Sequence, residues 1–177
     1  MPEFMAMATL AKPAAQTIGK LNLFSLHADF PASVRACWLT TTIARIAGES
    51  WKPVAGMWTL DNLKASDSIV RMITKEAMQA DVMIIAVSSP SYGEPTLARW
   101  LESLAAGPGN CPGAGLLVGL LEDEAEDEGE SRELVKLLRD RAQPLGRDFV
   151  WMKDFPDETG SLIGKLEILL KRKQRLA

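Results

Sequence analysis

Short apolar runs alternate along the chain with longer stretches whose apolar residues recur every three or four positions. The runs at Lys20 to Leu26, Pro53 to Leu60, Val82 to Val87, Ala114 to Leu121 and Phe149 to Lys153 read as five strands. The stretches Ala32 to Ala47, Asp67 to Ala80, Pro95 to Ala106, Ser131 to Ala142 and Ser161 to Leu176 read as five helices. Apolar stripes mark their inward faces. They are Val34, Trp38 and Thr41/Thr42 on the first helix, Val70, Ile73 and Ala77 on the second, Leu97, Trp100, Leu101 and Leu104 on the third, and Leu134, Leu137 and Leu138 on the fourth. Gly48 stops the first helix, Asp67 is placed to cap the second, Pro95 suits the first turn of the third, and Ser131 is placed to cap the fourth.

Strands that are apolar throughout, separated by helices, imply a parallel sheet covered on both faces. The expected fold is α/β: a three-layer sandwich with a five-stranded parallel sheet, its strands in the order 2-1-3-4-5. Ligands of such sheets bind at the carboxyl ends of the strands. The loops after the first, third and fourth strands are therefore the places to look for chemistry.

Composition narrows this picture. The chain has 177 residues, 47% hydrophobic and 24% charged, with a net charge of −3. That length suits one domain over residues 20–177. It follows a weakly patterned, flexible segment, residues 1–19, whose opening Met1 to Phe4 resembles an expression scar. The charge balance gives no case for nucleic-acid binding. No apolar run approaches the roughly 18–20 residues of a membrane span, and no signal peptide is evident, so a cytoplasmic protein is expected. Cys37 and Cys111 form no CxxC pair and are expected to be reduced, a disulfide between them being an unforced alternative. A single His27 and two distant cysteines build no zinc site, and no G-x-G-x-x-G, P-loop or G-x-S-x-G motif occurs.

After the third strand comes Ser88-Ser89-Pro90-Ser91-Tyr92-Gly93, and a helix opens at Glu94-Pro95. The serines offer hydroxyl and amide donors. Tyr92, the only tyrosine, offers a flat face, and Gly93 permits close approach of a ligand. These residue types are also those of an ordinary turn. The pattern Ser89-Pro90-x-Tyr92-Gly93-x-Pro95-x-Leu97-x-Arg99-Trp100-Leu101-Glu102-x-Leu104 resembles the third-strand region of flavodoxin-like, NAD(P)H-dependent FMN reductases. The motif covers about 24 residues, and its helical half is shaped largely by packing. The resemblance implies a flavodoxin-like fold and FMN as cofactor. It also implies a flavin- or quinone-type oxidoreductase or electron carrier, with Ser89, Pro90, Ser91, Tyr92 and Gly93 beside the flavin ring.

In flavin-binding relatives the loop after the first strand holds the FMN phosphate. Here it reads Ser25-Leu26-His27-Ala28-Asp29-Phe30-Pro31-Ala32-Ser33 and has no glycine. By the resemblance Ser25, His27 and Ser33, with Arg35, could hold a phosphate if Asp29 turned outward. The competing expectation is that Asp29 or Ser33 caps the first helix. After the fourth strand, Glu122 to Glu130 carries seven acidic residues in nine, which reads as a solvated loop and would repel an anionic cofactor. Trp38, Trp58 and Trp100 stand at core-compatible positions, and Trp58 could also line the crevice. The basic stretch Lys171 to Arg175 complements the dipole of the last helix.

Two functions compete on these residues. The first is an FMN-dependent oxidoreductase with NAD(P)H as partner, in some relatives a homodimer. The second is a cofactor-free interaction or regulatory module on the same fold. A receiver-like version would use Asp29 and Lys153, but Ser88-Ser89 stand where a phosphorylated Asp is required. A third, unassigned small-molecule enzyme has no residue that selects it.

Overall fold

The computed structural model describes residues 18–88, 94–107, 115–121, 128–153 and 159–176. Along the chain run β1 (Gly19–His27), α1 (Phe30–Ala47), β2 (Trp51–Thr59), a short 3-10 turn (Leu60–Lys64), α2 (Asp67–Gln79), β3 (Val82–Val87), α3 (Glu94–Ala106), β4 (Gly115–Leu121), α4 (Glu128–Ala142), β5 (Arg147–Met152) and α5 (Thr159–Leu176). The strands are all parallel and lie in the order β2-β1-β3-β4-β5, as the hydrophobic pattern predicts.

Side chains alternate across each strand and build two cores. On one side Phe24, Met83, Ile85 and Leu117 meet α2, α3 and α4, where Leu97, Trp100, Leu101 and Leu104 are all buried. On the other side Leu23, Ile84, Val118 and Val150 meet α1 and α5. Every residue of β3 and β4 is buried. β2 closes one edge, and its Pro53 has no N–H to offer a further strand.

Three expectations change. α1 buries Ala32, Ala36, Leu39 and Ile43, and not the Val34–Trp38 stripe. Two alanines let the helix axis come close to the sheet, so the larger Val34 and Trp38 are turned to solvent. Trp38 is 63% exposed and is no core residue. α2 starts after an extended Ser66, whose carbonyl receives the amides of Ile69 and Val70, so Asp67 is its first helical residue and not its cap. α4 begins at Glu128, three residues before the expected Ser131, so the end of the acidic run is helical; Glu is a good helix former.

The amino edge of the sheet is tied by one carboxylate. Asp81 accepts from the Asn22 amide at 2.7 Å and from Lys173 at 2.6 Å, while Lys173 also donates to the Lys20 carbonyl at 3.0 Å. The basic end of α5 is thus fastened to the start of β1. Nearby Arg147 donates to the Ala77 carbonyl at 3.0 Å, and burial lowers its pKa to about 10 although Asp81 opposes the shift.

Candidate functional site

The carboxyl edge is where the fold places ligands. β1 ends at His27 and α1 begins at Phe30, so only Ala28 and Asp29 join strand to helix. Asp29 is extended (φ −148°, ψ 179°) and its Oδ1 accepts the Ala32 amide at 2.9 Å. Asp29 is the cap that the sequence suggests. The same Oδ1 accepts the Ser88 hydroxyl at 2.8 Å, from the residue following β3.

Several other polar groups around this turn are also committed. The Ala28 amide donates to the Ala86 carbonyl at 3.0 Å and the Ser33 amide to the Asp29 carbonyl at 3.0 Å. Pro31 supplies no amide. Ser33 Oγ donates to the Phe30 carbonyl at 2.7 Å. Arg35 reaches past the turn and donates to the carbonyls of Leu121 at 2.7 Å and Lys153 at 3.3 Å, pinning α1 to the ends of β4 and β5.

Two polar atoms on the α1 side of β1 stand without hydrogen-bond partners among the described residues, Ser25 Oγ and His27 Nδ1. Ser25 is buried and His27 half-buried. Burial lowers the His27 pKa, and the nearby Asp29 charge pulls in the opposite direction.

The edge therefore brings His27, Asp29, Ser33, Arg35 and Ser88 together, with Ser25 one step deeper. Ser89, Pro90, Ser91, Tyr92 and Gly93 lie outside the described residues, as do Cys111 and residues 122–127. Cys37 is a free, exposed thiol on α1. Trp58 turns toward α2, where its Nε1 donates to Glu76 at 2.7 Å. Trp100 packs on Phe24 with ring centroids 6.0 Å apart. Sequence reasoning missed the partnership of Asp29 with Ser88, which lies 59 residues away and leaves no local spacing to read.

No family model matches the chain, and no curated protein matches it. Among solved structures, the chain is similar to an oxidoreductase from Corynebacterium diphtheriae, with TM-score 0.55 and 12% identity over 88% of this chain and 96% of that one. It is also similar to a short-chain flavodoxin associated with a non-canonical PDU bacterial microcompartment, with TM-score 0.51 and 8% identity over 90% of this chain and 99% of that one. With the strand order, these likenesses establish a flavodoxin-like fold. No helix among the described residues is long and apolar enough to cross a membrane.

Proposed function

We propose that this chain is a cofactor-free interaction module on a flavodoxin-like frame. The observation that carries the reading is the Asp29 carboxylate, which occupies the start of α1 with Ala32 and Ser88 as its donors. A helix start attracts anions through its free amides and its dipole. Here the protein supplies its own anion. The two-residue connection, the missing amide at Pro31 and the committed amides of Ala28 and Ser33 leave little of a phosphate cradle.

Magnitudes favour this reading. A phosphate about 4 Å from the Asp29 carboxylate meets about 4 kcal/mol of repulsion per pair of unit charges at an effective dielectric near 20. The helix terminus offers a charge only about 0.3–1 kcal/mol, and up to ~2 kcal/mol in buried geometry. The Asp29 carboxylate at this turn counts against an FMN phosphate there.

The competing reading is an FMN-binding, NAD(P)H-dependent oxidoreductase or electron carrier. It draws on the resemblance of Ser89 to Gly93 to a flavin loop and on the fold shared with an oxidoreductase and a flavodoxin. An absorbance spectrum of the purified protein and a titration with FMN, followed by flavin fluorescence, separate the two. The module reading expects no flavin band and no saturable quenching. Stoichiometric FMN binding would sink it, and NAD(P)H oxidation would then be the next assay.

A further inference from the structure

We propose that a cavity between α2 and α3 binds a small monocarboxylate with an apolar body, of the class of one-ring aryl acids, and that Arg99 is its anion partner. The proposal goes beyond the module reading and does not depend on it, because the cavity is lined by the 3-10 turn, α2 and α3 and by no residue of the Asp29 turn.

The cavity has a volume of about 270 Å³ and is lined by Leu63, Val70, Thr96, Arg99, Trp100 and Ser103. Its apolar and polar groups come from different places. Leu63 of the 3-10 turn and Val70 of α2 are half-buried against the core, in which Trp100 of α3 is buried. The Trp100 indole has already given its N–H to Thr74 Oγ1 at 3.2 Å, so it offers the cavity no donor. This part of the lining gives water nothing to bond, and an apolar body displaces such water favourably. Thr96, Arg99 and Ser103 stand on α3 at i, i+3 and i+7, which is one helical face.

The lining also fixes the chemistry of the ligand's polar end. Arg99 is exposed and forms no ion pair among the described residues, since its neighbour Glu102 is taken by Arg141 and Asp61 of the 3-10 turn by Lys64. A guanidinium presents a planar fork of donors that matches a carboxylate. The Thr96 hydroxyl, which has no hydrogen-bond partner among the described residues, lies one turn before Arg99, so one carboxylate can receive from both. The Ser103 hydroxyl donates to the Trp100 carbonyl at 2.7 Å and is spent as a donor. One guanidinium balances one negative charge, and the exposed Asp67, one turn before Val70 on α2, disfavours a second. Size selects the body. An apolar cavity of about 150 Å³ takes benzene, so this one admits a single ring with a short acid-bearing arm.

Titration of the isotope-labelled full chain with sodium phenylacetate, followed by NMR, tests this. The expected result is saturable one-site binding with a Kd of about 1 mM or tighter. The Trp100 indole N–H should shift, while that of Trp38, on α1 across the sheet, should not. Acetate lacks the apolar body and phenylacetamide lacks the charge, and each should bind at least ~10-fold more weakly. Arg99→Gln should weaken phenylacetate at least ~10-fold and Thr96→Val at least ~3-fold, the weights of a charged and an ordinary hydrogen bond, with unchanged circular dichroism spectra. Should one variant fail to fold, the other variant and the two control ligands still decide. No saturation by about 10 mM phenylacetate overturns the proposal. Equal binding of phenylacetamide makes the cavity an apolar groove without anion recognition, and equal binding of acetate makes it an ion contact only. Binding that neither variant weakens lies elsewhere on the chain. Each of these outcomes overturns the proposal as well.

Discussion

The Oδ1 atom of Asp29 receives the Ser88 hydroxyl at 2.8 Å, so one carboxylate joins the start of α1 to the end of β3. It accepts the Ala32 amide at the same time. Asp29→Ala removes the cap and strands a hydroxyl. It should cost about 0.5–2 kcal/mol, the usual range for a lost N-cap, while Asp29→Asn should keep most of the cap. Urea denaturation measures both, and an alanine variant as stable as wild type would show that the cap carries no weight.

Ser25 presents the reverse case. Its hydroxyl is buried on the α1 side of β1 with no partner among the described residues. An unsatisfied buried group costs about 1–3 kcal/mol. Ser25→Ala should therefore raise stability, by about 1 kcal/mol after allowing for some lost packing. A clear loss of stability in the alanine variant would mean that the hydroxyl holds a water or a ligand.

His27 makes stability depend on pH. Its folded pKa lies below the ordinary 6.5, through burial first and against the opposing charge of Asp29. The unfolded chain then binds more protons as pH falls below about 6.5. Stability present above that pH is lost as pH drops toward the folded value. His27→Gln should flatten this segment of the profile, read as denaturation midpoints between about pH 7.5 and pH 5.5. Parallel profiles for the two proteins would remove His27 from the account.

Gly115 opens β4 where the chain passes close to another backbone. A Cβ there would lie 2.5 Å from the Asp81 carbonyl oxygen, which receives the Leu116 amide at 2.9 Å. Gly115→Ala should cost about 1–3 kcal/mol, the usual penalty for overpacking. Gly160→Ala is the control, since among the described residues a Cβ there meets no atom within 4 Å beyond its own helix backbone. Equal stabilities for the two variants would contradict the contact.

The layers were legible because period decides them. Val82 to Val87 is apolar at every position and is buried at every position, and Leu97, Trp100, Leu101 and Leu104 fall on one helical stripe that is buried throughout. α1 carries two stripes of similar period, one of small residues and one of large, and the small one is buried. Hydrophobicity favoured Val34 and Trp38. Close approach to the sheet favoured Ala32 and Ala36, and only packing distance decides between them. At the candidate site Asp29 was readable as a cap from its residue type. Ser88 and Arg35 were not, because their partners come from other strands and sequence spacing does not encode them.

Fastening Lys173 to the Lys20 carbonyl and to Asp81 spans 153 residues of chain. During synthesis β1 emerges early, yet this tether and the α5 layer wait for the last helix. Until then half of one sheet face is bare. Closure of that face must therefore wait until α5 has been synthesised, with a rate set by long-range closure more than by local helix formation. A nascent or shortened chain ending before α5 should carry an open apolar face and depend on chaperones, whereas the finished chain hides that face with its last turns.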